Sequence, residues 1–179
     1  MNRVLVLLAE GFEEIEAVTI IDVLRRADLP VTVASLSSPR VCGAHDIVVI
    51  ADCLLDEVKD QSFDAIILPG GMPGSRNLRD DARVISLLQS QQRLNKYLGA
   101  ICAAPIALEA AGVLQGKRAT SYPGYDLPSA QVSEERLVVD GKLVTSRGPG
   151  TALEFALEWV KILAGAEAAE RLRRGMIVN

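Results

Sequence analysis

The stretch YLGAICAAPIALEAA, residues 97–111, decides the fold, because a short apolar run passes directly into a helical pattern. Tyr97–Ile101 is predicted as a strand and Ala103–Ala111 as a helix. Cys102 stands at the junction between small residues, and Pro105 suits the first turn of the helix. A buried strand that feeds a helix through a tight turn indicates a parallel α/β sheet.

The same alternation of strand and helix continues along the whole chain. Further strands are predicted at Val4–Leu8, Val31–Ala34, Ile47–Ile50, Ala65–Leu68, Lys117–Thr120, Leu137–Val139 and Leu143–Ser146. Further helices are predicted at Glu13–Arg26, from an Asp80 or Asp81 cap to about Asn95, from a Thr151/Glu154 capping box onward, and from Glu167 to about Arg174. Several strands are apolar throughout, which is typical of a sheet covered on both faces. We therefore expect one α/β domain over residues 1–179, a flavodoxin-like three-layer sandwich with a mostly parallel sheet.

The composition is ordinary except for one count, a single histidine at position 45. Hydrophobic residues make up 49% and charged residues 23%, and 19 basic against 23 acidic side chains give a net charge of -4. This acidic balance argues against a dedicated nucleic-acid surface. A zinc site built from two or three histidines is excluded, and a nucleophile–histidine–acid triad would need His45 itself as the base.

Cysteine usage and hydropathy predict the compartment. Cys42, Cys53 and Cys102 are odd in number and lack the spacing of a disulfide framework or a metal site, which suits a reducing cytosol. The apolar run Val4–Ala9 is interrupted by Glu10, too early for a secretory signal, and no segment reaches transmembrane length. We expect a cytoplasmic protein that makes no membrane contact.

Binding and active sites in such a sheet lie beyond the carboxyl ends of the strands, here after Leu8, Leu68 and Ile101. The last of these positions is followed by Cys102, at a helix N-terminus where the helix dipole favours a thiolate. The alternative is a buried structural cysteine that behaves as a small hydrophobic side chain. The turn alone leaves both interpretations open.

Acidic residues follow the first strand in the segment GFEEIE, residues 11–16. Glu13 and Glu14 are explained by stabilisation of a helix N-terminus. Glu16 lies near the apolar side of that helix, so its carboxyl group is predicted to point at the sheet end. Beside a cysteine in an apolar pocket its pKa would rise through desolvation and repulsion, which would make it a proton donor near neutral pH.

Two further features have both a structural and a functional interpretation. The segment Leu68–Gly74 is either a generic turn or a loop whose bare N–H groups approach an oxyanion, and it lacks the ending of a phosphate loop. Arg26 ends the first helix, where it suits the helix dipole or attracts an anionic group. His45 is predicted to be a histidine of a surface loop.

Taken together, these motifs resemble the ThiJ/PfpI superfamily. The acidic loop, the Pro-Gly-Gly loop, the Ala-Ile-Cys-Ala turn and the segment Thr145–Thr151 occur in the family's order, and the resemblance covers nearly the whole chain. The most similar branch is that of the Parkinson-associated protein deglycase and its bacterial relatives. The resemblance implies a flavodoxin-like fold of the class I glutamine amidotransferase type, assembled as a homodimer.

The resemblance also implies roles for individual residues. Cys102 matches the reactive, oxidation-prone nucleophile, and Glu16 matches the glutamate held protonated against it. Three backbone positions match the oxyanion pocket, namely Gly70, Gly71 and Ala103. Arg26 matches a basic residue near the pocket at the dimer contact.

The chain departs from the pattern of this branch at two positions, and at a third it differs from the protease-like branch. Tyr122-Pro123 stands where this branch often carries His-Pro, and a tyrosine would donate a hydrogen bond but is a far weaker base than imidazole. His45 stands where the most similar relatives carry arginine. Ala103 follows the cysteine where the protease-like branch has histidine, which argues against peptidase activity, and the cysteine–histidine pair of glutamine amidotransferases is absent.

The function implied by the resemblance is that of a glyoxalase and deglycase without metal or organic cofactor. Cys102 would attack methylglyoxal, glyoxal or early glycation adducts of thiols and amines, with Glu16 as proton shuttle. The alternative is an oxidative-stress sensor or redox-regulated chaperone that uses oxidation of Cys102. A third possibility is a relative with an inactive pocket.

Overall fold

The computed structural model describes residues 2–178, and its centre is a seven-stranded sheet. The strands are β1 (Val4–Leu8), β2 (Val31–Ser35), β3 (Arg40–Cys42), β4 (Val48–Ile50), β5 (Cys53–Leu54), β6 (Ala65–Leu68), β7 (Tyr97–Ile101), β8 (Arg118–Ala119), β9 (Gln131–Val132), β10 (Leu137–Asp140) and β11 (Leu143–Ser146). The helices are α1 (Glu14–Arg26), α2 (Leu55–Val58), α3 (Gly74–Asp80), α4 (Ala82–Arg93), α5 (Pro105–Ala110), α6 (Ala152–Ala164) and α7 (Ala166–Gly175).

The strand order of the sheet is β10-β11-β7-β6-β1-β2-β5, and every neighbouring pair is parallel except β10 with β11. The antiparallel pair turns at Gly141, with Asp140 opposite Leu143. Two small two-stranded sheets, β3 with β4 and β8 with β9, lie outside the main one. The predicted α/β fold with a mostly parallel sheet is confirmed.

The sequence of β1 is apolar throughout because its successive side chains pack into hydrophobic clusters on opposite faces of the sheet. Val4, Val6 and Leu8 belong to one hydrophobic cluster with residues of α1 and α6. Leu5 and Leu7 belong to a second cluster with residues of α3, α4 and α5. All five side chains are fully buried, because helices cover the sheet on both faces.

The helix boundaries show which local signals in the sequence determine structure. Asp81 caps α4 as predicted, since its carboxylate accepts a hydrogen bond of 2.9 Å from the N–H of Arg83. The capping box predicted at the start of α6 is wrong. The hydroxyl of Thr151 bonds to the backbone of Gly148, and Glu154 forms an ion pair with Arg136, because a 3₁₀ turn precedes the helix.

The elements that the sequence did not predict are short. They include α2, α3 and the strands β3, β5 and β9, whose lengths range from two to seven residues. Helix α3 contains a glycine, a serine and an asparagine, all weak helix formers, so packing of Leu78 and Ser75 in the interior holds it. Within residues 2–178, no helix combines the length and the apolar character that crossing a membrane requires.

Candidate active site

Three loops meet at one edge of the main sheet. They follow β1, β6 and β7, which are neighbours in the sheet, so their carboxyl ends lie side by side. Glu16 comes from the first turn of α1, Gly70 and Gly71 from the loop after β6, and Cys102 from the turn after β7. The topology thus brings together side chains that are separated by up to 86 positions in the sequence.

Cys102 occupies a sharp turn between β7 and α5. Its backbone has a φ of 63°, in the left-handed region that residues with a side chain seldom adopt. The turn is fixed on both sides, because the N–H of Cys102 donates to the carbonyl of Ser146 at 2.9 Å and its carbonyl accepts from Tyr122 at 2.8 Å. A non-glycine residue held in this conformation by its surroundings is typical of functional sites.

Glu16 is completely buried beside this cysteine. Its Oε2 accepts a hydrogen bond of 2.7 Å from the N–H of Gly70, whereas Oε1 has no hydrogen-bond partner among residues 2–178. Burial raises the pKa of Glu16 to about 7, with a smaller contribution from the charge of Glu13, and the Gly70 amide and the Cys102 thiol oppose this rise. The carboxyl group is therefore poised to gain or lose a proton near neutral pH.

The pKa of Cys102 is raised to about 12, first by burial and then by the charge of Glu16 and its contact with the thiol. The N–H groups of Ala103 and Gly71 act in the opposite direction. The lowered pKa expected from the helix terminus is thus outweighed by desolvation. Because each negative charge disfavours the other, Cys102 keeps its proton while Glu16 titrates, so the pair holds two protons below about pH 7 and one above it.

The predicted oxyanion donors divide into two groups. Gly71 and Ala103 direct their N–H groups at the sulfur. The prediction of Gly70 as a free donor is wrong, because its N–H is bonded to Glu16 and holds that carboxyl in place. A Cβ at Gly70 would lie 2.6 Å from both Cβ of Cys102 and Oε2 of Glu16, so only glycine fits between them.

Tyr122 reaches the turn through its backbone. Its N–H bonds to the carbonyl of Cys102, while its ring is 47% exposed and contacts the ring of Tyr125 edge-on at 6.4 Å between centroids. Among residues 2–178 its hydroxyl makes no hydrogen bond with Glu16 or Cys102. Tyr122 is therefore tied to the cysteine turn by its backbone, while its side chain is about half exposed.

Arg26 does not join this site within the chain. It lies ten residues after Glu16 on α1, about 15 Å along the helix axis at the usual rise per residue. Its Nε donates to Asp22 at 2.6 Å, and its side chain is half exposed. A role in the pocket would require a second protein chain to bring an arginine to it.

Sequence reasoning did not predict Ser146 as a contributor to the site. Its carbonyl bonds to the N–H of Cys102, and its hydroxyl, 2.7 Å from that of Thr151, also donates to the carbonyl of Arg136. The signal for it was the segment Thr145–Thr151, which follows a strand, β11, that pairs with β7. Only the sheet order shows that this segment braces the cysteine turn.

Comparison with known proteins identifies relatives of the whole chain. The profile of the DJ-1/PfpI family matches residues 2–162. Protein dj-1beta of Drosophila melanogaster is 42% identical over 179 residues, which cover 97% of this chain and 96% of that protein. The glutathione-independent glyoxalase DJR-1.2 of Caenorhabditis elegans is 36% identical over 174 residues, which cover 96% of this chain and 93% of that protein.

The plant relatives are longer. Protein DJ-1 homolog B of Arabidopsis thaliana is 43% identical over 98% of this chain, but the match spans only 41% of the plant protein. Among solved structures, the crystal structure of Drosophila melanogaster DJ-1beta superposes with a TM-score of 0.97 at 40% identity and covers 99% of this chain and 98% of that one.

Proposed function

Since the chain belongs to the DJ-1/PfpI family, we propose that it is a cysteine-dependent glyoxalase and protein deglycase. Its substrates are methylglyoxal, glyoxal or the early adducts that these aldehydes form with thiols and amines. The observation that carries the proposal is the buried carboxyl of Glu16 beside the thiol of Cys102, with a pKa of about 7. A relative that is named as a glutathione-independent glyoxalase supports the same chemistry.

The first step joins the thiol to the aldehyde. The thiol proton passes to the carboxylate of Glu16 as Sγ of Cys102 bonds to the aldehyde carbon. Glu16 then gives this proton to the former carbonyl oxygen, which becomes the hydroxyl of a hemithioacetal, and Glu16 is again a carboxylate. The N–H groups of Gly71 and Ala103, which are directed at the sulfur, would bind the oxygen while it carries negative charge.

The second step moves hydrogen between the two carbons of the adduct. The carboxylate of Glu16 removes the proton from the former aldehyde carbon, and a proton returns to the neighbouring carbon, which yields a thioester. Water then cleaves the thioester, releasing lactate from methylglyoxal or glycolate from glyoxal and restoring the thiol. The reaction adds one water overall and needs no redox cofactor, because one carbon is oxidised while its neighbour is reduced.

The test is the consumption of methylglyoxal by three variants. Cys102→Ala removes the nucleophile and abolishes turnover, and Glu16→Gln slows it by about 100-fold or more, since general acid–base groups contribute at least that much. Cys53→Ala is the control, because Cys53 lies on β5 away from the site and its loss leaves turnover unchanged. Wild-type turnover in Cys102→Ala would refute the proposal.

A second candidate function, a redox sensor or redox-regulated chaperone, is favoured by the N–H groups directed at Sγ. Two molecules of hydrogen peroxide convert the thiol to a sulfinate and release two of water, and these N–H groups would bind the sulfinate oxygens. Cys42 and Cys53 are more exposed than Cys102. Selective oxidation of Cys102 in mass spectra after mild peroxide treatment supports this function, whereas equal or faster oxidation of Cys42 and Cys53 excludes it.

The assembly and location that fit this chemistry are a single-domain homodimer in the cytoplasm. The proposed location is supported by the three free thiols, which a reducing compartment preserves. The proposed dimer is supported by apolar side chains that residues 2–178 leave exposed on α1 and β4, among them Ile15 and Ile50.

A further inference from the structure

A groove of about 370 Å³ lies beside the proposed active site, between α3, α5 and the loop that contains residues 124–126. This volume is within the range of small-molecule sites. Met72 lines the groove directly after Gly71, whose N–H points at the cysteine sulfur. Ile106 lines it from α5, and its N–H bonds to the carbonyl of Ala103. The groove therefore begins next to the backbone groups that would hold the reacting end of a substrate.

The apolar lining of the groove suits a chain of methylene groups. Met72, Ile106 and Tyr125 are half-buried, and the ring of Tyr125 contacts that of Tyr122 edge-on. The carbonyl of Tyr125 accepts a hydrogen bond of 3.2 Å from the hydroxyl of Ser121, and its N–H donates to the carbonyl of Tyr122 at 3.3 Å. These bonds hold this wall of the groove in position.

Four charged side chains line the groove, and two of them have partners within the chain. Arg79 donates to Asp80 at 2.7 and 3.1 Å. The carboxylate of Glu109 accepts from the N–H of Ser129 at 3.2 Å and from its hydroxyl at 2.7 Å. The charges of Arg79 and Glu109 are thus already paired or bonded.

The other two are Arg76 and Asp126, which are both exposed. Within the part of the chain that the structure describes, neither forms an ion pair or a side-chain hydrogen bond, either with the other or with a third residue. Two opposite charges that line one groove without reaching each other are complementary to a ligand that carries both charges. The smallest biological ligand of this kind is the ammonium and carboxylate pair of an α-amino acid.

We propose, on the basis of the proposed function, that the groove binds a free amino acid whose side chain carries the aldehyde adduct. Arg76 binds the α-carboxylate and Asp126 the α-ammonium group, while the methylene groups lie along the apolar lining and the adduct extends toward Gly71 and Cys102. In a protein chain both α groups are amides. The groove therefore favours adducts of free amino acids over adducts on proteins.

An unreactive probe tests this binding without turnover. S-(2-hydroxypropyl)-L-cysteine is a stable thioether with the carbon skeleton of a methylglyoxal–cysteine adduct, and it is titrated into the ¹⁵N-labelled chain. We expect saturable shifts of the amide NMR signals of Met72 and Gly124, which line the groove. The N-acetyl derivative lacks the ammonium group and the amide lacks the carboxylate, so each should bind about five- to tenfold more weakly. Equal affinity for the probe and either derivative overturns the proposal.

Two variants assign the charges. Arg76→Gln should weaken binding of the probe about five- to tenfold and remove the preference for the acid over the amide. Asp126→Asn should weaken it by a similar factor and remove the preference for the free amine over the N-acetyl form. Arg93→Gln and Asp60→Asn are the controls, since both residues are exposed and lie outside the groove. Wild-type affinity in a folded Arg76→Gln or Asp126→Asn variant refutes the assignment.

Failure of this inference is distinguishable from failure of the proposed function. A wild-type chain that consumes methylglyoxal without binding the probe refutes the groove alone. A wild-type chain that binds the probe with the expected preferences but leaves methylglyoxal unchanged supports the groove and refutes the glyoxalase proposal.

Discussion

At the scale of the residue, Glu16 combines two properties that normally exclude each other, an ionisable group and complete burial. The sequence predicted its raised pKa from the neighbouring cysteine and the apolar side of α1, and the structure gives the same direction with burial as the main cause. The role of the Gly70 N–H could not be predicted, because the turn after β6 places it against a residue 54 positions earlier. The Gly70 N–H holds Oε2 of the carboxyl group, whereas Oε1 stays free to accept or donate a proton.

This burial predicts a pH-dependent cost to stability. The pKa of Glu16 rises from 4.5 to about 7 on folding, so the folded chain holds this proton more tightly than the unfolded one. The free energy of unfolding therefore falls as the pH rises from about 4.5 to 7, by up to about 3 kcal/mol. Glu16→Gln keeps an acceptor for the Gly70 N–H and lacks the ionisation, so it gains stability relative to the wild type between pH 4.5 and pH 8.

Urea unfolding at these two pH values measures the effect. Glu167→Gln is the control, since Glu167 is an exposed carboxyl on α7. Its replacement should change the difference in unfolding free energy between pH 4.5 and pH 8 much less than Glu16→Gln does. A Glu16→Gln variant whose stability relative to the wild type is the same at both pH values would show that Glu16 is not buried as a charge above pH 7.

At the scale of the element, the longer strands and helices could be predicted because their signals are local. Runs such as Val4–Leu8 and the Asp81 cap depend on a few adjacent residues. The predicted Thr151 cap was wrong because Gly148, three residues earlier, competes for the same hydroxyl. The pairing of Glu14 with His45 was also missed, since each has a sufficient local explanation and only the packing of the β3–β4 loop against α1 joins them.

Gly99 shows how an element can require a residue for a reason that the sequence does not reveal. Small residues before Cys102 were predicted to serve a crowded turn. The structure instead places the indole of Trp159 on α6 against β7, so a Cβ at Gly99 would overlap this ring. Tyr97 and Phe155 enclose the indole edge-on, each at 6.0 Å between ring centroids, which leaves it no room to retreat.

We therefore expect Gly99→Ala to destabilise the chain by about 1–3 kcal/mol, the usual cost of overpacking. Gly150→Ala is the matched control, because a Cβ at Gly150 meets no atom within 4 Å. Urea unfolding with the tryptophan fluorescence of the single Trp159 as probe compares the two variants. If Gly99→Ala is as stable as Gly150→Ala, α6 is free to move away from the sheet.

At the scale of the whole molecule, residues 2–178 leave one face of α1 uncovered. The helix buries Ala17, Ile20 and Val23 against the core, but Ile15 is 59% and Val18 49% exposed. These two residues lie one turn apart on the same side of the helix. Ile47, whose N–H donates to the neighbouring Glu14, is 56% exposed and extends the apolar surface onto the β3–β4 unit. A contiguous apolar surface of this kind is typical of an interface.

The homodimer proposal predicts that a charge on this face separates the chains. Val18→Asp places a carboxylate where two apolar surfaces would meet, so sedimentation should give a mass near 19.2 kDa for this variant and about twice that for the wild type. Val139→Asp, on the edge strand β10 at 42% exposure, is the control that stays dimeric. A monomeric wild type, or a dimeric Val18→Asp, contradicts the proposed interface.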